Sequence, residues 1–210
     1  MALEYDLVEA LRPALVVDLG AGDAVSFFTY CQAMLDHDID GICYAVDVWE
    51  NAETHPLASL DAIKDHGRAN YPGLHYVVPM PPFEALKHFS EGSIDLLRID
   101  GSRPNVVAGA DVEAWFRRVR AGGVIAWHGV AQDPRLFSLI AERCASALLN
   151  EGLGLGLARK PGAPQNGELL ELLFSEDAAE LERFYLHAFR HHELKSALAA
   201  LRGAQGARQP

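Results

Sequence analysis

The chain is short of cysteine, has no long hydrophobic run, and carries too few basic residues for its acids. Its three cysteines, Cys31, Cys43 and Cys144, are an odd number with no C-x-x-C pair. That spacing indicates neither a disulfide framework nor a zinc ribbon, and each reads as a small buried apolar residue. No stretch approaches the roughly 20 apolar residues of a membrane span. The opening MALEYDLVEALRP has early acids where a signal peptide has its apolar core. A reduced, cytoplasmic setting is expected. Lysine and arginine total 18 against 29 acids, a formal net charge of −11. Nucleic acid and anionic membrane both want a basic face, so neither is expected as the main partner. A nucleotide-sized ligand stays open, because local backbone donors rather than net charge hold such a group.

What is present is an ordinary globular composition, 50% apolar and 22% charged over 210 residues. Apolar runs alternate with helical patterns. Residues 14–20, 41–49, 74–80, 94–100, 122–130 and 152–159 read as strands. Between them, 25–36, 58–70, 112–120 and 134–149 read as helices, with a helical turn at 82–89 and a short helix up to Leu11. Alternation of this kind predicts an α/β domain over 1–160: a Rossmann-like, doubly wound, mostly parallel sheet of seven strands or nearly so, with helices on both faces. The turn-rich PGAPQNG (161–167) opens a second region, 161–210, read as linker and C-terminal helical extension. There Ser175 can cap a helix whose stripe is Leu181, Phe184, Tyr185 and Ala188. That helix is expected to pack on the domain or to join two copies in a homodimer.

The first strand ends in Asp18-Leu19-Gly20-Ala21-Gly22, at the edge where an open parallel sheet binds its ligand. Glycines there let backbone N–H groups approach a ligand, and the following helix N-terminus adds positive potential. Such a turn could hold a dinucleotide pyrophosphate, hold the amino-acid end of S-adenosylmethionine, or only join strand to helix. The dinucleotide fingerprint wants a third glycine, and Asp23-Ala24-Val25 stands in its place. Asp23 would also bring a carboxylate towards a pyrophosphate. Asp18 can face a ligand ammonium, which a dinucleotide lacks. Asp47, at the end of the second strand, can accept both hydroxyls of a ribose.

Several segments resemble one family more particularly. CYAVDVW (43–49), FEALKHFSEGSIDLLRIDG (83–101), EAWFRRVRAGGVIAWHG (113–129) and GLGLGLA (152–158) are similar to the bacterial class I S-adenosylmethionine-dependent methyltransferases grouped with the cephalosporin-hydroxylase-like and macrolide sugar O-methyltransferases. The resemblance implies S-adenosylmethionine as cofactor and S-adenosylhomocysteine as product. By it Asp18, Gly20 and Gly22 would line the methionine end, Asp47 the ribose, and the turn at Met80-Pro81 the adenine, with Ala21, Val48 and Asp100 also binding the cofactor.

In that family the fourth strand carries an acid, a histidine base follows three residues later, and the fifth strand ends in a pair whose last member is acidic and completes a divalent metal site. Here Asp100 is present, Arg103 stands at the histidine's place, and the fifth strand ends in His128-Gly129. Arginine stays protonated and cannot be a base. One carboxylate with one imidazole is a poor set for a hard cation, so no metal is expected. Two readings follow. In one, His128 is the general base for methyl transfer to an oxygen of a small sugar-like or anionic acceptor, Asp100 counts with it among the catalytic residues, and Arg103 binds the acceptor's anionic part. In the other, the domain binds cofactor without catalysis, as a partner of a sugar-modifying enzyme. His187, His191 and His192 read as a solvated helix face, Glu53 and His55 as loop residues, and the GLGLG run as a close-packed strand.

Overall fold

The strand runs are unbroken because both of their faces are covered, and that requirement sets the architecture. The computed structural model describes residues 2–49, 59–102, 106–107, 109–150, 152–162, 168–175 and 183–185. In chain order its elements are α1 (Ala2–Leu11), β1 (Leu15–Leu19), α2 (Val25–Asp36), β2 (Ile42–Asp47), α3 (Leu60–Asn70), β3 (His75–Pro79), α4 (Pro82–Ala85), β4 (Ile94–Asp100), α5 (Gly109–Arg118), β5 (Val119–His128), α6 (Pro134–Ala141), β6 (Ala145–Leu149), β7 (Leu155–Arg159) and α7 (Glu168–Leu173). The seven strands form one sheet in the order β3-β2-β1-β4-β5-β7-β6, with β7 alone antiparallel to its neighbours. The predicted doubly wound, mostly parallel sheet is therefore what forms.

Alternation along the strands sorts the core into two layers. Val17, Leu19, Leu97, Ile99, Ile125 and Trp127 pack with Trp115 and Phe116 of α5 and Phe137 and Ile140 of α6. On the other face, Val16, Leu96 and Val124 pack with Leu7 of α1, Phe27 and Met34 of α2, Ile63 of α3 and Leu170 of α7. The order of strands reverses between β1 and β4, and it is at the carboxyl ends beside such a reversal that open α/β sheets bind their ligands. Cys31 and Cys43 are buried as expected, and Cys144 is half-buried.

Two expectations are corrected, and a further helix is found. The segment 134–149 is not one helix: α6 stops at Ala141, and Ala145–Leu149 pairs antiparallel with β7 as the seventh strand. Ala-Ser-Ala-Leu-Leu has strong helix propensity, but β7 presents an open edge, and that pairing decides. The fifth strand begins at Val119, not at the glycines, because a register shift opposite Ile94 and Leu96 lets the chain enter the sheet early. Finally, α7 forms directly after 161–167, and the Ser175 hydroxyl donates to the carbonyl of Leu172 and closes that helix. Tyr185, further along, is buried and donates to Asp6 of α1 at 2.6 Å. His187, His191, His192, Glu53, His55, Leu181, Ala188 and Arg103 lie outside the described residues.

Candidate active site

The turn after β1 needs backbone that only glycine adopts freely. Gly20 has φ +77° and Gly22 φ +54°, both left-handed. A side chain at Gly20 would start 2.8 Å from a methyl of Val106 and 3.3 Å from the Cβ of Asp100, so the end of β4 sits directly against the turn. Ala21 is buried between the two glycines. The Gly20 N–H donates to the carbonyl of Val46 at 2.8 Å, tying the turn to β2.

Asp47, the last residue of β2, fixes the other side of the turn. One carboxylate oxygen accepts from the Gly22 N–H at 2.9 Å and the other from the Trp49 N–H at 3.1 Å. Trp49 has φ +49°, unusual for a bulky residue, and its indole N–H donates back to the Gly22 carbonyl at 2.9 Å. Asp47 and Trp49 thus clasp Gly22 through both its N–H and its C=O. Val48, between them, is exposed. Pro79 pairs with Asp47 across β2 and β3, which brings Met80 and Pro81 to the same edge. Met80 is half-buried against the apolar layer, and Pro81 precedes the first turn of α4.

Asp18 lies deeper than a ligand-facing acid. Its side chain is fully buried, and it accepts from the Ser26 hydroxyl at 3.1 Å and from Arg98 at 2.9 Å. Burial pushes the Asp18 carboxyl up, and the Arg98 guanidinium beside it pulls it back only in part. Arg98 faces Asp18 across the β1–β4 register and reaches three acids: Asp18, Glu4 of α1 at 3.3 Å and Asp100 at 3.6 Å. Burial opposes its charge, but these neighbours outweigh burial and keep it protonated. Tyr30 of α2 donates to Glu4 at 2.8 Å, which completes a buried charged group under the turn.

At the end of β4, one oxygen of Asp100 accepts from the Ser102 N–H and hydroxyl and lies 3.1 Å from Nδ1 of His128. The two residues are register partners across β4 and β5. Burial would raise the Asp100 carboxyl, yet the bonds from His128 and Ser102 and the charge of Arg98 hold it well below the usual carboxylate range. His128 is about a third exposed, with its side chain at 37%. Gly129 has φ +84°, and a side chain there would begin 2.6 Å from the Ser102 nitrogen. A side chain at this position would have to displace the backbone of Ser102.

Of the residues singled out in the sequence, Gly20, Ala21, Gly22, Asp47, Val48, Met80, Pro81, Asp100 and His128 gather along the carboxyl edge, with Asp18 beneath it. Sequence reasoning passed over Trp49, Arg98, Ser26 and Ser102. Arg98 had a signal: a charge two residues before Asp100 in an apolar strand shares its face. Among the described residues no three His, Cys, Asp or Glu side chains come together as a metal-binding group, and no helix is long and apolar enough to cross a membrane.

The family model described as "Methyltransferase domain" matches residues 17–130. An uncharacterized protein, y4gI of Sinorhizobium fredii, is 31% identical over 125 residues, which is 58% of this chain and 14% of that protein. The chain thus spans about one seventh of the length of this curated relative. A methyltransferase from Geobacter sulfurreducens superposes with a TM-score of 0.59 at 18% identity, covering 77% of each chain. The O-methyltransferase TomG from Streptomyces achromogenes, solved with S-adenosylmethionine, gives 0.56 at 16% identity over 76% of this chain and 78% of its own. Spermidine synthase from Thermotoga maritima gives 0.55 at 16% identity over 76% and 58%. At these identities the superpositions show a shared fold, and the family match carries the assignment: the chain belongs to the methyltransferase-domain family.

Proposed function

We propose that the domain binds S-adenosylmethionine along the carboxyl edge of β1, β2 and β4 and transfers its methyl group to an oxygen of a small acceptor held beside His128. The observation that supports this best is the set of donors and acceptors at the edge. Asp47 and Asp100 flank a glycine turn, with Asp18 beneath it. Carboxylates suit a ligand that offers an ammonium, a sulfonium and two ribose hydroxyls, and they repel a pyrophosphate. In this reading Gly20, Ala21 and Gly22 present backbone to the methionine end. Asp18 supports that end from below, Asp47 and Val48 meet the ribose, and Met80 and Pro81 border the adenine.

When bound, the cofactor supplies an activated methyl group on a sulfonium. The protein then has to orient the acceptor and take its proton. His128 directs Nδ1 at Asp100, so Nε2 lies on the opposite side of the ring and is the atom that accepts the acceptor's proton. Asp100 stabilises the imidazolium that results. Arg103 pairs with an anionic part of the acceptor, whose class is a small sugar-like or acidic hydroxyl compound. The reading includes turnover without a divalent metal, supported by the glycine at position 129, where a side chain would have to displace the backbone of Ser102. It also includes a homodimer formed through residues beyond Ser175, and the docking of Tyr185 on α1 favours packing of this region on its own domain as well.

Calorimetric titration with S-adenosylhomocysteine and with a nicotinamide dinucleotide tests the cofactor. Binding of the first alone is expected, and binding of the second alone overturns the assignment. An acceptor screen with and without EDTA tests the metal-free reading, which fails if the chelator abolishes turnover.

A further inference from the structure

Asp100 meets His128 on one oxygen and a buried cation on the other, and this second contact has no part in the reaction as derived so far. Arg98 is 7% exposed and lies on the same face of β4 two residues earlier. Its Nη2 stands 3.6 Å from Oδ2 of Asp100, while Nη1 is anchored to Asp18 at 2.9 Å. Oδ1 of Asp100 is taken by Ser102 and His128. The carboxylate therefore cannot rotate without breaking contacts at both ends. The anchor is itself rigid: Asp18 is held by Ser26, and Nε of Arg98 points towards Glu4, which Tyr30 holds.

A core that sought only stability would do without this group. Replacing buried ion pairs by apolar residues of similar volume is often neutral or stabilising, whereas breaking one leaves an uncompensated charge. The opposite face of the same strands is built that way, from Leu97, Ile99 and Trp127. The groups facing Asp100 and Arg98 are His128 on β5, Asp18 on β1, Glu4 on α1 and Tyr30 on α2. On the far side of His128, β7 brings Leu155.

We propose that Arg98 is a positioning residue: by pinning Asp100 ionised and in one orientation, it fixes the Nδ1–H tautomer of His128 and leaves the Nε2 lone pair for the acceptor's proton. The proposal rests on the reading of His128 as base, and it goes beyond it in naming what sets the tautomer. A carboxylate that is ionised and held still can only accept from Nδ1–H, whereas one free to turn or to take a proton also tolerates the Nε2–H form.

The test reads the tautomer directly. Imidazole nitrogen chemical shifts of His128 are recorded by NMR at about pH 9, where an ordinary imidazole is neutral. One sample is the unaltered chain. A second is the double variant Asp18→Asn with Arg98→Met, which removes one charge of each sign so that Asp18 is not left as an unpaired carboxylate, while Glu4 keeps the bond from Tyr30. The third is Arg98→Lys, which keeps the charge and loses the fork. The unaltered chain should show one dominant Nδ1–H form. In the double variant the ratio of the two forms should fall by about tenfold, the worth of one hydrogen bond of ordinary net strength. Arg98→Lys should give a ratio between the two. An unchanged ratio in the double variant overturns the proposal and makes Arg98 a core ion pair only. If the double variant does not fold, Arg98→Lys decides, and a ratio equal to that of the unaltered chain overturns it. Neither result depends on cofactor or turnover. A chain that fails to bind S-adenosylhomocysteine yet shows the expected ratios refutes the proposed function and leaves this inference standing.

Discussion

The two faces of the central strands are built on opposite rules, although the residues alternate along the same few segments. Towards α5 and α6, Leu19, Ile99, Ile125 and Trp127 form a wholly apolar layer. Towards α1 and α2 the lower half is apolar too, with Val16, Leu96 and Val124, but the carboxyl half carries Asp18, Arg98 and Asp100. The first face follows from burial alone, since packed apolar area is the dominant favourable contribution to folding. The second runs against it, because each buried charge is costly unless paired. The contrast teaches where the molecule gives up stability. Among the described residues it does so most densely beneath the glycine turn and beside His128, where Asp18, Arg98, Asp100 and Glu4 meet.

Trp127 and His128 are consecutive and point to opposite faces, so they give the sharpest way to break the comparison. His128→Ala should lower methyl transfer by roughly 10²–10⁴-fold, the usual loss on removing a positioned base, with little change in thermal stability. Trp127→Ala should do the reverse and cost about 3–5 kcal/mol in denaturant unfolding, since the ring is 1% exposed and packs against Phe137. Steady-state assays and unfolding curves on both variants check this. Turnover that survives His128→Ala, or unfolding that ignores Trp127→Ala, shows that the two faces are not divided in this way.

Much of this division was legible in the sequence. Unbroken strand runs alternating with helical patterns pointed to the parallel sheet, the rule that ligands bind at strand carboxyl ends picked out Asp18, Gly20, Gly22 and Asp47, and the resemblance to O-methyltransferases picked out Asp100 and His128. What escaped notice depended on partners distant in the chain. The β6 segment Ala-Ser-Ala-Leu-Leu has no β-branched residue and becomes a strand only because β7 is there to pair with it. Arg98 stood unremarked in Ile-Asp-Leu-Leu-Arg-Ile-Asp until the β1–β4 register set it opposite Asp18. Trp49 looked like the end of a strand, and only its left-handed backbone turns the indole onto Gly22.

The next effect in size concerns the cofactor half of the edge. Asp47→Ala removes a charged acceptor from the Gly22 and Trp49 N–H groups as well as the proposed ribose contact. Hydrogen bonds to charged groups are worth about 1.5–3 kcal/mol, so affinity for S-adenosylhomocysteine should fall roughly 10- to 150-fold in calorimetry. An unchanged affinity would separate the clasp around Gly22 from the ligand site and weaken the comparison on its functional side.

The smallest effect belongs to the other arm of that clasp. Trp49→Phe keeps an aromatic ring and removes the indole N–H that reaches the Gly22 carbonyl. The bond is neutral, and a neutral hydrogen bond contributes about 0.5–1.5 kcal/mol, so S-adenosylhomocysteine binding should weaken about two- to tenfold, less than for Asp47→Ala. The same variant carries an optical control. Of the three tryptophans, Trp115 and Trp127 are buried in the apolar layer, and Trp49 alone sits half-buried at the edge. A fluorescence change on adding S-adenosylhomocysteine should therefore come from Trp49 and vanish in Trp49→Phe. If the change persists, the ligand perturbs the apolar face, and the separation between a stabilising side and a working side fails. A loss of affinity larger than that of Asp47→Ala would instead make the indole, not the carboxylate, the main support of the turn.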